Sequence, residues 1–101
     1  MAVIHVNHDN FAEVIQSSEP VIIDFFATWC GPCSALAPVL EEAAAESGGT
    51  IGKVDIDECG DLAQEYGVMS VPTLMVFRNG KPEQTSIGVI PKEKVLELLG
   101  K

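Results

Sequence analysis

Val21-Ile22-Ile23-Asp24-Phe25-Phe26-Ala27-Thr28-Trp29-Cys30-Gly31-Pro32-Cys33 is the stretch that decides the fold. From Val21 to Ala27 it is apolar on both alternating faces except at Asp24, the pattern of a central strand covered on both sides. A helix is expected from Pro32 to about Glu46, where Leu36, Val39, Leu40, Ala43 and Ala44 recur on a helical period. Pro38 should kink it, and Ser47-Gly48-Gly49 closes it. A buried strand running straight into a helix through a Cys-x-x-Cys step implies an α/β chain.

The flanking sequence completes the pattern. Upstream, Val3 to Val6 reads as a short strand. Asn7 or Asp9 can cap a helix carrying Phe11, Val14 and Ile15, which Glu19-Pro20 stops. Downstream, Ile51 to Ile56 forms a third strand, and Cys59 to Tyr66 a short helix ended by Gly67. Thr73 to Phe77 and Gln84 to Ile87 flank Asn79-Gly80, the signal of a type I′ hairpin turn. Pro91 opens a last helix with Val95, Leu96, Leu98 and Leu99 as its apolar face. The order β-α-β-α-β-α-β-β-α combines a parallel βαβ part with an antiparallel terminal hairpin. It predicts a central mixed β-sheet of about five strands with helices on both faces. Residues 1–101 fit one domain.

Composition excludes several function classes. The 101 residues are 47% hydrophobic and 21% charged, as in ordinary globular proteins. The formal net charge is −9, and no Lys or Arg precedes Lys53. So few cations cannot neutralise many phosphates, which argues against nucleic acid and anionic membranes as partners. No apolar run approaches the roughly 18 residues of a membrane-spanning helix. The first residues, Met1-Ala2-Val3-Ile4-His5, lack a signal-peptide pattern, so a cytoplasmic location is expected.

The three cysteines, Cys30, Cys33 and Cys59, are an odd number, unlike a secreted disulfide framework. In a reducing compartment a close pair reads as redox-active or metal-binding. Zinc needs four ligands. Here a lone Cys-x-x-Cys has only Cys59, with His5 and His8 far off in sequence, so no metal site is expected. Redox chemistry fits the spacing better. Near the first turn of a helix, the N-terminal partial charge and free N–H groups favour a thiolate. The i, i+3 spacing lets the two sulfurs close a small ring. Asp24 is the other unusual residue. A carboxylate in a doubly covered strand is costly when ionised. Its proton affinity should rise, and it could accept a proton from a nearby thiol. The alternative is a carboxylate that is simply hydrogen-bonded in the core.

Trp29-Cys30-Gly31-Pro32-Cys33 resembles the active-site motif of the thioredoxin family. Further landmarks follow in order over nearly the whole chain: Asp24-Phe25-Phe26-Ala27, Ala37-Pro38, Lys53 with Asp55-Ile56-Asp57, Tyr66-Gly67-Val68, Val71-Pro72-Thr73, Phe77 with Asn79-Gly80, and Gly88. The resemblance implies the thioredoxin fold and a protein-disulfide reductase with no bound cofactor, whose working group is a Cys30–Cys33 disulfide. It implies Cys30 as the exposed nucleophile and Cys33 as the resolving thiol. Asp24 would be the proton acceptor, with Lys53 modulating it. Trp29, Gly31, Pro32, Val71, a cis Pro72 and Gly88 would line the target groove, where a peptide adds as a strand. The implied partners are a thioredoxin reductase and disulfide-containing target proteins, met by a monomer. A binding or chaperone subunit with incidental cysteines is the competing function.

Several residues also have plainer readings. Lys53 could end an exposed face, Gly88 could be an ordinary turn glycine, and Cys59 is best read as a small buried hydrophobe. Ser34 stands where many relatives carry a basic residue, and Phe26 where many have a second Trp. The Ser34 departure removes a cation beside the motif, so activation should lean on the helix N-terminus.

Overall fold

The computed structural model describes residues 2–101. Its elements are β1 (Ala2–His5), α1 (Phe11–Val14), β2 (Val21–Phe26), α2 (Gly31–Ser47), β3 (Thr50–Asp55), α3 (Gly60–Glu65), β4 (Thr73–Arg78), β5 (Lys81–Ile87) and α4 (Lys92–Leu98). The five strands form one mixed sheet in the order β1-β3-β2-β4-β5. β3 runs parallel to both β1 and β2, while β4 is antiparallel to β2 and β5. The sheet matches the thioredoxin fold expected from the sequence.

β2 lies at the centre, so both its faces are covered and its alternate residues enter different layers. Ile23 and Phe25 pack with Phe11, Ile15, Leu62, Ala63 and Phe77 on the α1–α3 side. Phe11, Tyr66 and Phe77 stack there with ring centroids 5.1–5.7 Å apart. Ile22 joins Leu36, Leu40, Ala43, Ile51, Leu74, Val95 and Leu99 on the α2–α4 side. Asp24 and Phe26 share the Ile22 face, so the only ionisable residue of β2 is directed into the α2 layer.

Local chemistry sets the ends. Asn79 (φ 54°) and Gly80 (φ 81°) both adopt the left-handed conformation that a type I′ turn requires. The two-residue turn pairs Arg78 directly with Lys81. β5 therefore starts three residues before the expected Gln84. An irregularity between Val76 and Phe77 lets Pro82 and Gln84 face successive β4 residues. Pro82 is tolerated because β5 is an edge strand. The N-cap of α1 is Asn10 rather than Asn7 or Asp9, and it makes no side-chain cap bond. Asn7 instead accepts from the Asp9 N–H through Oδ1 at 2.8 Å. α2 continues through Pro38 and ends at Gly48, whose φ of 73° suits a left-handed C-cap.

Gly52 is where β3 passes closest to its neighbours. A Cβ there would lie 2.6 Å from Val6 Cγ2 and 3.1 Å from Ile23 Cδ1. Gly52→Ala should therefore lower the unfolding free energy by about 2 kcal/mol, as overpacking does in a full core. Urea denaturation followed by circular dichroism measures this, and an unchanged midpoint would show that Val6 yields freely.

Candidate active site

β2 ends at Phe26 and α2 begins at Gly31. The intervening turn holds Cys30 as the N-cap of α2, with Pro32 in the first turn, where its missing N–H costs nothing. Cys30 and Cys33 are joined as a disulfide with their Cα atoms 5.3 Å apart. Cys30 Sγ accepts the Cys33 backbone N–H at 3.1 Å. The sulfur thus occupies the place a serine or aspartate oxygen takes in an ordinary helix cap. It receives a donor that the helix itself leaves unpaired and faces the positive end of α2, both of which favour negative charge on it.

Exposure does not separate the two sulfurs as expected. Cys30 is 6% exposed and Cys33 7%. Cys30 is covered because its cluster with Cys33 and Ala27 packs against Phe26, Ile56 and Val71. Position distinguishes them instead: Cys30 Sγ caps the helix and lies 3.7 Å from the Val71 carbonyl oxygen. The Val71–Pro72 peptide is cis. Gly88 (φ 91°) donates its N–H to the Pro72 carbonyl at 2.9 Å, which joins the end of β5 to this wall. Gly31 and Trp29 are exposed beside the disulfide.

Asp24 is buried, and its Oδ1 makes no hydrogen bond. Burial pushes its pKa from 3.8 to about 6, against the opposing pull of Lys53. The two residues are register partners on β2 and β3. Lys53 is not an edge residue: it is half-buried, with Nζ 4.4 Å from the Phe26 ring centroid. Phe26 is thus the platform that holds this cation. Lys53, Phe26, Cys33 and Ser34 line a cavity of about 220 Å³, so Lys53 and the second cysteine border one recess. A larger groove, about 520 Å³, lies between β5 and α4 and includes none of the residues touching the disulfide.

Asp57 carries a role the sequence did not reveal. Its Oδ2 accepts the Trp29 indole N–H at 2.8 Å, fixing a ring that is 69% exposed. The available signal was that an indole N–H beside a working site needs an acceptor. Cys59 is fully buried in the α1–α3 core, as its plainer reading required. Burial, then Glu58 and Asp61, raises its pKa, so it stays a thiol. Among the described residues, no group of three or more His, Cys, Asp or Glu side chains is placed to hold a metal.

The thioredoxin family model matches residues 2–101. The chain belongs to the thioredoxin family. It is 48% identical to the thioredoxin of Staphylococcus haemolyticus, over 100% of this chain and 98% of that protein. It is 44% identical to an M-type chloroplastic thioredoxin of Chlamydomonas reinhardtii, covering 95% of this chain and 71% of that one. Among solved structures, a mutant thioredoxin from Halobacterium salinarum superposes with a TM-score of 0.90 at 33% identity, covering 97% of this chain and 88% of that chain. This thioredoxin is accordingly a thiol–disulfide oxidoreductase, a protein-disulfide reductase acting in redox homeostasis. Its electrons are carried by the Cys30–Cys33 disulfide, without a bound cofactor.

The raised Asp24 pKa fixes the sign of one prediction. The folded value, about 6, lies above the unfolded 3.8, so ionisation opposes folding. Stability from this group is full below pH 4 and is lost as pH rises through 6, a loss of about 3 kcal/mol. Asp24→Asn should thus raise the unfolding free energy at pH 8 by about 2 kcal/mol and give little gain at pH 4. Urea titrations at both pH values test it; an equal gain at both would remove the titration of Asp24 as the cause.

Proposed function

We propose that Cys30 is the attacking sulfur and Cys33 the resolving one. The observation that carries this assignment is that Cys30 Sγ alone accepts the helix N-terminal N–H. In the dithiol form the Cys30 thiolate attacks one sulfur of a target disulfide. A Cys30–target mixed disulfide forms and one target thiolate leaves. Cys33 then gives up its proton, attacks Cys30 and expels the second target thiolate. Two electrons pass to the target, and the Cys30–Cys33 disulfide is regenerated. A thioredoxin reductase then returns two electrons, and two protons restore the dithiol.

Asp24 is the proton acceptor for Cys33 in this reading. It faces the layer under α2 and has an unpartnered oxygen and a pKa near 6, so it is largely ionised at neutral pH. Lys53 sits across from it and keeps that affinity from rising further. The target lies as an added strand along Val71, on a groove completed by Trp29, Gly31, Pro32, cis Pro72 and Gly88. Residues 1–101 act as one domain and as a monomer in a reducing, cytoplasmic compartment. The two-electron cycle needs a reducing donor there, the thioredoxin reductase.

Trapping tests the assignment. Cys33→Ser should accumulate disulfide-linked target proteins through Cys30, released by dithiothreitol, while Cys30→Ser should accumulate none. Asp24→Asn should slow resolution at pH 7 by about a hundredfold, the size of a general-base contribution at its low end. The same variant should lose the rise in resolution rate that Asp24 ionisation gives near pH 6. Adducts formed equally by both Ser variants would reverse or dissolve the two roles. Full activity of a Cys30→Ser, Cys33→Ser double variant in a cellular assay would favour the binding role.

A further inference from the structure

We propose that the groove around the disulfide selects extended target segments that carry lysine or arginine beside the cystine. This rests on the reductase reading above and names its substrate class. The groove offers apolar contact first. Among the described residues Trp29, Met69, Ile87 and Val89 are the large apolar ones left exposed, and each lies within two positions of Cys30, Val71 or Gly88. Such contact gains area but cannot discriminate charge.

Charge discrimination comes from the distribution of ions over the fold. The chain has six cations. β2 and β3 both run toward the disulfide, and β4 runs away from it. Arg78 at the end of β4 and Lys81 at the start of β5 are therefore at the opposite end of the sheet, about 17 Å away along a six-residue strand. Lys92 is held by Glu46, 2.8 Å away, in the last turns of α2, about 20 Å along the helix from Cys33. Lys94 is paired with Glu97 on α4 and lines the separate groove between β5 and α4. Lys101 follows Gly100, which faces Pro20 at the start of β2. Among the described residues, Lys53 is the Lys or Arg at the disulfide end. It is half-buried over Phe26 and opposite Asp24, so it faces inward.

The carboxylates lie the other way. The segment after β3 packs on the cysteine cluster through Ile56. It carries Asp57, bonded to Trp29 at 2.8 Å, whose own N–H is accepted by Oδ1 of Asp55 at the end of β3. Glu58 and Asp61 follow, with Glu58 3.2 Å from His5 Nε2 and Asp61 bonded to His8. An incoming strand thus meets an apolar floor with a carboxylate rim on the Trp29 side and no outward cation. Basic groups flanking the cystine gain attraction and a faster encounter, and acidic ones are repelled.

The test uses three synthetic peptides with the same intramolecular disulfide, flanked by Lys, Gln or Glu pairs. Each is reduced by the dithiol protein in single turnover, with the reaction quenched and product thiols counted. At about 20 mM salt the Lys peptide should react about tenfold faster than the Glu peptide, and at about 500 mM the ratio should fall below about three. Glu58→Gln with Asp61→Asn should shrink the low-salt ratio about threefold and leave the Gln peptide rate unchanged. Equal rates for the Lys and Glu peptides, or a ratio indifferent to salt, would overturn the charge preference and leave the reductase reading intact. Reduction of none of the three would overturn the reductase reading and this inference with it.

Discussion

The sulfur of Cys30 has to end a helix and exchange electrons at the same atom, and much of the molecule serves that double use. As a cap it needs α2 to start immediately after it, which Gly31 and Pro32 permit. As a redox atom it needs its partner one helical turn on, and Cys33 is there, already donating its N–H to that sulfur at 3.1 Å. β2 delivers the pair from the centre of the sheet. The cis Val71–Pro72 peptide closes the wall opposite, with Gly88 tied to it. Moving the helix start by one residue would separate the cap from the ring.

A second constraint follows from placing a carboxylate in the same layer. Asp24 costs folding energy at neutral pH because burial opposes its ionisation. The structure softens this with Lys53, which is itself kept by the face of Phe26 and not by a direct ion pair with Asp24. The outcome is a weak base under α2 and a cation turned inward. The outer surface at that end is left apolar and acidic. A net charge of −9 is therefore not evenly spread: apart from the inward Lys53, cations lie away from the dithiol, where α2 and α4 meet and at the hairpin.

Much of this was legible in the sequence because a few residues constrain the backbone tightly. The apolar run at β2, the Cys-Gly-Pro-Cys step and Asn79-Gly80 each permit few conformations, and their elements formed as expected. Asp24 was legible because it interrupts that run. Less legible were features that depend on partners distant in sequence. Asp57 reaches Trp29 across 28 positions. Lys53 rests on Phe26 only because β2 and β3 are in one register. The start of β5 was missed because Lys81, Pro82 and Glu83 look like turn residues, yet an edge strand accepts them. The burial of Cys30 was missed because contact with Ile56 and Val71 is tertiary.

The central claim is that helix capping, without a basic neighbour, makes Cys30 the reactive sulfur. Limited alkylation of the fully reduced protein at pH 7 with substoichiometric iodoacetamide, followed by peptide mapping, tests it most directly. The account predicts label on Cys30 at least about tenfold above Cys33 and Cys59, the thiolate alone being the nucleophile. Equal labelling of Cys30 and Cys33, or preferential labelling of Cys33, would contradict it.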